Sequence, residues 1–216
     1  MSEPESLATR EGLDAHIRRH SYDRLLMLSD GIFAIAITLA ALEIRLPEHI
    51  ATEHDLWHIV MRPLLGYLVS FVVVAVFWIS HRNLFARLRR VDNVITGLTL
   101  AMLCMIAFVP AVIHGVVTPH SEQWAFRLYA GTMMVCGLIN AALWLYAAWR
   151  KGLMASEMTP KDRWTRAVMS MAMPLIFLTF FFASPEQVPI YLLPFAAVMI
   201  VLRRVVVPRI VKGKLR

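Results

Sequence analysis

Six long apolar runs dominate this sequence of 216 residues. They cover approximately residues 25–45, 60–81, 93–117, 124–149, 165–184 and 188–207. A helix needs about 20 largely apolar residues to cross the ~30 Å hydrocarbon layer of a membrane. Pro185 and Pro189 bracket the short SPEQVP turn that separates the last two runs. The sequence therefore predicts an all-α membrane protein with six transmembrane helices per chain.

The composition agrees with a membrane chain, because 58% of the residues are hydrophobic and 17% are charged. A soluble domain has about half apolar and about a quarter charged residues. The polar N-terminal segment has no apolar core before Leu25, so it does not resemble a cleavable signal peptide. The predicted organisation is a cytoplasmic segment with a short amphipathic helix at 1–24, a six-helix membrane domain at 25–207 and a basic tail at 208–216.

The basic residues predict the orientation of the chain. Nearly all of them lie at 10–24, 82–90, 150–166 and 203–216, and only Arg45, Arg62 and Arg127 fall on the other side. Cytoplasmic loops of membrane proteins carry the excess of Lys and Arg. We therefore expect both termini to lie in the cytoplasm, with the protein in a bacterial plasma (inner) membrane. The net charge of +7 then indicates anionic membrane lipids as partners, and no nucleic acid is expected.

The first apolar run carries the polar residues that matter most. At 100° per residue, one stripe of this helix contains Ile35, Thr38, Leu39 and Leu42. Asp30 points about 140° away from Ile35 on the same helix. An apolar stripe with this spacing is typical of packing in a core or against lipid.

A second polar group is predicted near the cytoplasmic side. Spans one and two are antiparallel, so Asp30 can reach the depth of His81 near the inner end of span two. The predicted cluster consists of Arg24, Ser29, Asp30, His81 and Asn83. A buried cluster of this kind would satisfy its own polar groups and hold two helices together, which is a structural role.

Several functional classes find no support in the sequence. We find no phosphate-binding glycine loop, nucleophile motif or paired acids at membrane depth, so no enzyme and no cofactor are expected. Neither the histidines His49, His54 and His58 nor the two cysteines have the spacing of a metal site. A carbonyl selectivity filter of the TVGYG type is also absent from the sequence.

The segment RLLMLSDGIFAIAITLAALEI resembles the signature of the transmembrane protein 175 family. The matching positions are Arg24, Ser29, Asp30, Ala34, Ile35, Thr38 and Leu39, and Trp78 and His81 resemble a second family motif. Leu28 stands where the family usually has Phe. Beyond the third span the resemblance concerns only chain length and topology.

The resemblance implies a potassium-permeable, leak-type cation channel. In such a channel four copies of the chain would surround a central pore lined by the first helix. Ile35, Leu39 and Leu42 would form its apolar constriction, Thr38 would contribute to selectivity, and potassium ions would be the permeating partner. Two alternatives stay open at this point: a secondary transporter of a small cation, and a non-conducting membrane scaffold.

Overall fold

The computed structural model describes residues 3–42, 52, 56–117, 123–154 and 159–182. The described part of the chain forms five α-helices, namely α1 Glu3–Leu42, α2 Arg62–Phe85, α3 Asn93–Val117, α4 Gln123–Trp149 and α5 Pro160–Phe182. A six-residue π-helical segment, Leu56–Met61, runs directly into α2. The β pairing found within these ranges is a single isolated bridge between Leu88 and Met154. The described part of the chain is therefore all-helical.

Four segments of these helices are long and apolar enough to cross a membrane. They are His20–Leu42, Ile59–Phe85, Asn93–Val116 and Gln123–Trp149. The apolar part of α5, Met169–Phe182, is shorter. These helices agree with the first five predicted runs, and the chain is a membrane protein. The predicted sixth span at 188–207 and the tail at 208–216 lie outside the described residues.

The first helix is longer than the apolar run within it. It has 40 residues, which correspond to a length of about 60 Å at 1.5 Å per residue. The short leader helix expected before the first span therefore continues into that span without interruption. The reason is visible in the sequence, because no proline follows Pro4 before the helix ends, and proline is the residue that most strongly stops a helix.

The core forms where α1 packs against α2 and α3, and where α4 packs between α3 and α5. Its fully buried side chains include Phe33 of α1, Phe77 of α2, Ile106 of α3 and Met133 of α4. Helices α4 and α5 approach each other closely at Gly137, where an added Cβ would lie 2.9 Å from the backbone nitrogen of Pro174. This contact requires glycine, since any side chain there would push the two backbones apart.

The helix ends at one end of the bundle are fixed by hydrogen bonds. The carboxylate of Asp92 caps α3, because its Oδ1 accepts a bond of 2.9 Å from the backbone amide of Ile95. Its Oδ2 accepts a bond of 2.7 Å from the hydroxyl of Tyr146 near the end of α4. Thr159 caps α5 in a similar way, since its Oγ1 accepts a bond from the amide of Asp162.

Candidate functional site: the exposed face of the first helix

Helix α1 has two faces of different character. The buried face carries Leu25, Ser29, Phe33, Ala36 and Ala40, which pack against the rest of the bundle. These residues recur every three or four positions, as expected for one side of a helix. The opposite face of α1 is not covered by any described part of the same chain.

The exposed face of α1 contains all four residues of the predicted stripe. Ile35 is 57% exposed, Leu39 44% and Leu42 75%, and Thr38 is exposed with them. Gly31, one helical turn from Ile35 toward the N-terminus, is also exposed, and an added Cβ there would meet no atom within 4 Å. We call this face, from Gly31 to Leu42, the α1 stripe. Its side chains are large near Leu42, and at Gly31 there is no side chain.

The hydroxyl of Thr38 lies in the middle of the α1 stripe. Its Oγ1 is 3.0 Å from the carbonyl oxygens of both Ala34 and Ile35. A hydroxyl has one proton to donate to these carbonyls and retains lone pairs for another partner. Thr38 therefore satisfies its donor within the helix and can still offer an oxygen to a ligand on the exposed side.

The exposed face of α2 provides a contrast. Between positions 65 and 79 its exposed residues are all apolar, namely Leu65, Leu68, Val69, Phe71, Val72 and Ile79. Such a face suits hydrocarbon. The α1 stripe includes a hydroxyl and a glycine. Arg24 lies on the same side of the helix, about 16 Å from Ile35 along the helix axis. The two exposed faces therefore match different surroundings.

Asp30 lies at the edge of α1, next to α2. Its Oδ1 accepts a hydrogen bond of 2.8 Å from the indole Nε1 of Trp78. The guanidinium of Arg82, one turn further along α2, lies 5.0 Å from the centre of the Trp78 ring. A cation over an indole face is a favourable arrangement. The carboxylate, the indole and the guanidinium thus form a continuous polar contact between the two helices.

His81 occupies a different environment from the predicted one. Its side chain is 1% exposed, and its ring lies 4.2 Å from the ring of Phe85 and 6.0 Å from that of Phe33. Its Nε2 has no hydrogen-bond partner within the described ranges. Asp30 is close enough for an electrostatic interaction with His81, but its hydrogen bond goes to Trp78.

The five residues of the predicted polar cluster do not form one buried group. Asp30 and Arg24 are exposed, and Ser29 is buried with its hydroxyl donating to the Leu25 carbonyl of its own helix at 2.8 Å. Asn83 is half-buried, and its backbone carbonyl accepts a bond from Arg87. The rotation of α2 explains the difference, because it turns His81 into the core and leaves Trp78 to meet Asp30.

The structure also shows a polar network that the sequence did not indicate. The indole of Trp144 donates to the hydroxyl of Ser80, and this hydroxyl donates to Oδ1 of Asn140, both at 3.0 Å. The network joins α2 to α4 within the bundle. The contact of Trp78 with Arg82 could have been predicted, since a spacing of four residues places both on one helix face. It held no comparable signal for Ser80 and Asn140, which are 60 positions apart.

Three comparisons with known proteins bear on this site. The sequence model of the family described as endosomal/lysosomal potassium channel TMEM175 matches residues 24–110. A protein of Chamaesiphon minutus named as a potassium channel is 30% identical over 145 residues, which are 62% of this chain and 70% of that protein. The chain belongs to the TMEM175 family. A zebrafish TMEM175, named as an endosomal/lysosomal proton channel, is 28% identical over 62% of this chain but only 26% of its own length.

The fold of the family is also present. A crystal structure of a lysosomal potassium-selective channel TMEM175 homolog from Chamaesiphon minutus superimposes with a TM-score of 0.65. The match covers 80% of this chain and 91% of that one at 24% identity, which shows the shared fold. The part that matches the TMEM175 sequence model begins at Arg24 and ends at Pro110. It contains the α1 stripe and the contact of Asp30 with Trp78.

Proposed function

We propose that this chain forms a potassium-permeable, leak-type channel whose pore is lined by the α1 stripes of several copies. The observation that carries the proposal is the exposure of Ile35, Leu39 and Leu42 on a helix whose opposite side packs against the bundle between Leu25 and Ala40. The Chamaesiphon relative is named as a potassium channel, which supports the same function here. The expected assembly is a homotetramer of six-span chains, because that is the arrangement that the resemblance to prokaryotic members implies.

The geometry of the α1 stripe suits an apolar constriction. Copies of this face around an axis would place rings of Ile35, Leu39 and Leu42 along a neck, and apolar constrictions can gate ions by excluding water. At the level of Gly31 the same pore would widen, since that position carries no side chain. Selectivity would then follow from the cost of removing water from the ion, which is lower for potassium than for sodium. Thr38 would offer a hydroxyl oxygen within the neck.

The two alternatives fit the described residues less well. A secondary transporter that couples to a cation commonly uses an acidic residue or a broken helix near the bilayer midplane. Asp30 is the acidic residue of α1 nearest to the stripe, and its hydrogen bond to Trp78 gives it a role at the helix contact. A non-conducting scaffold is disfavoured because the matching family model and the Chamaesiphon relative are both described as potassium channels.

The orientation follows from charge, as in the sequence analysis. The end of the bundle at which α2 and α4 finish carries the basic connections, so we place it in the cytoplasm together with both termini. The proposed location is the inner membrane of a bacterium. In this orientation Arg24 and the contact of Asp30 with Trp78 lie on the cytoplasmic side of the constriction.

The test is potassium flux in proteoliposomes, comparing the wild type with Ile35→Asn. We expect wild-type flux and a larger, less selective flux in the variant, because an amide would let water into the neck. Val72→Asn is the matched control, since Val72 is 52% exposed on the apolar face of α2. Its flux should equal that of the wild type. An intact oligomer that conducts no potassium, or equal effects of the two variants, would contradict the proposal.

A further inference from the structure

Two basic connections meet at the predicted cytoplasmic end of the bundle. One follows α2 and the other follows α4, and they are joined by the antiparallel bridge between Leu88 and Met154. The backbone amide of Arg89 donates a hydrogen bond of 2.7 Å to the carbonyl of Leu153. Gly152 makes this pairing possible, because its φ of 78° is a conformation that other residues rarely adopt. Cations that are some 60 positions apart in the sequence are thereby brought together.

We call the resulting surface the basic patch. Its members are Arg87, Arg89, Arg90, Arg150, Lys151 and Arg166. The carboxylates that the structure describes beside it are already engaged. Asp92 accepts hydrogen bonds from Ile95 and Tyr146, and Asp162 accepts one of 2.8 Å from the hydroxyl of Thr159. Asp92 also lies within electrostatic range of Arg150, and Asp162 within range of Arg166, so the six cations of the basic patch outnumber the two described carboxylates beside them.

Arg87 and Arg166 form the most constrained part of the basic patch. Both side chains are half-buried, and they are close enough for their positive charges to repel each other. The guanidinium of Arg166 lies 4.9 Å from the centre of the Trp144 ring, which holds it in place. Its Nε is buried and has no hydrogen-bond partner among the described residues, although Asp162 lies within electrostatic range.

Arg87 is fixed by its hydrogen bond to the Asn83 carbonyl, and Arg166 by the Trp144 ring. Two partly buried guanidinium groups within electrostatic range of each other favour an anion beside them. Each presents several N–H groups in a planar fork that matches the oxygens of a phosphate. A phosphate bound at this position would reduce the repulsion between the two positive charges. It would also supply a hydrogen-bond acceptor for Nε of Arg166. The location also fits a lipid, since Trp149 is 44% exposed at the adjoining end of α4 and tryptophan favours the headgroup level of a bilayer.

We propose that the basic patch binds the phosphate of an anionic phospholipid in the cytoplasmic leaflet, with Arg87 and Arg166 as the ligands of that phosphate. The proposal rests on the orientation given under the proposed function, but it does not depend on potassium conduction. A lipid bound here would link the α2 connection to α5. Because α2 carries Trp78, the partner of Asp30, the lipid would connect α5 to the helix that holds α1 in place.

Native mass spectrometry of the purified oligomer tests this assignment. The protein is offered phosphatidylglycerol or phosphatidylcholine, and the bound lipid is counted for the wild type, Arg87→Gln and Arg127→Gln. Arg127 is the control because it is an exposed arginine at the opposite end of α4. We expect the wild type to prefer phosphatidylglycerol, Arg87→Gln to weaken that binding by about fivefold, and Arg127→Gln to leave it unchanged. Equal binding of the two lipids, or an unaltered preference in Arg87→Gln, would overturn the proposal.

A second variant separates a binding defect from a folding defect. Arg166→Lys keeps the charge and the contact with Trp144 but loses the planar fork, so its oligomer mass should be normal and its preference for phosphatidylglycerol reduced. An unreduced preference in an intact oligomer would show that Arg166 is not a ligand. Inorganic phosphate is then added as a competitor. If it displaces the lipid at equal concentration, the site recognises soluble phosphate and the assignment to a lipid is wrong.

Discussion

The indole nitrogen of Trp78 lies 2.8 Å from Oδ1 of Asp30, and this hydrogen bond fixes the edge of α1 against α2. Asp30 and Ile35 are separated by about 140° around α1. Holding the carboxylate against α2 therefore determines which way the stripe that contains Ile35 can face. In the proposed channel this contact would act on the pore through the rotation of α1 and not through contact with an ion.

The hydrogen bond between Trp78 and Asp30 should stabilise the fold. A hydrogen bond to a charged group contributes about 1.5–3 kcal/mol, so Trp78→Phe and Asp30→Ala should each lower the thermal stability and the yield of oligomer. The double variant should be little worse than the more damaging single variant, because both substitutions remove the same interaction. Thermal unfolding in detergent, arranged as a double-mutant cycle, measures this. Additive losses would show that the two residues act separately, and a normal oligomer of Asp30→Ala with altered selectivity would assign Asp30 to permeation.

Thr38→Val should alter selectivity without altering assembly. The hydroxyl donates only within its own helix, so its removal leaves no buried donor unpaired and valine keeps the shape of the side chain. The measurement is the reversal potential under a gradient of potassium against sodium. Ser29→Ala is the control, since that hydroxyl lies on the buried face of α1. A change of selectivity in Ser29→Ala but not in Thr38→Val would show that the exposed face does not line the ion path.

Gly137→Ala should destabilise the contact between α4 and α5. The new methyl group would lie 2.9 Å from backbone and ring atoms of Pro174, and overpacking of this kind costs about 1–3 kcal/mol. Gly97→Ala is the matched control, because a Cβ at that exposed position in α3 meets nothing within 4 Å. Alanine there should raise helix stability by up to about 1 kcal/mol. The measurement is the unfolding temperature of each variant. If both variants unfolded below the wild-type temperature, or both above it, this contrast would be contradicted.

Asp92 should make stability depend on pH in the acid range. Its partial burial acts to raise its pKa, but hydrogen bonds from the amides of Ile95 and Val94 and from Tyr146, with the charge of Arg150, outweigh burial and lower the pKa below 3.8. The stabilisation is therefore complete above pH 3.8 and is lost as the pH falls through the lowered pKa. Tyr146→Phe removes one donor to the carboxylate, so the loss should begin at a higher pH. Unfolding temperatures measured from neutral to acid pH would show no such shift if Tyr146 did not stabilise the charged carboxylate.

Periodicity and hydropathy predicted the helices well, because both depend on local sequence. The runs at 60–81, 93–117 and 124–149 agree with α2, α3 and α4 to within a few residues. Hydropathy marks where a helix enters lipid and not where it begins, so it predicted the first span from residue 25, whereas α1 begins at Glu3. Angular spacing predicted that Ile35, Thr38, Leu39 and Leu42 share one face of the first helix, and the structure places them together on an exposed face. Their role in a pore came only from the family resemblance.

The partners of the polar residues could not be found in the same way. Sequence predicted that Asp30 and His81 share a depth, which follows from antiparallel spans. Whether Asp30 meets His81 or Trp78 depends on the rotation of α2 by less than one turn, and that rotation is set by the packing of Phe77, Leu84 and Phe85 in the core. The bond between Ser80 and Asn140 has the same origin, since it joins two helices through a contact that neither segment encodes alone.

The sequence by itself determined that this protein is helical and lies in a membrane, because lipid forces each span to satisfy its own backbone and to be apolar over its length. It also determined which residues of the first helix share a face. Tertiary structure decided that this face remains uncovered, that Asp30 bonds to Trp78, and that two distant basic connections meet at the bridge of Leu88 with Met154. Those outcomes depend on how whole helices rotate and pack against one another, and no local segment contains that information.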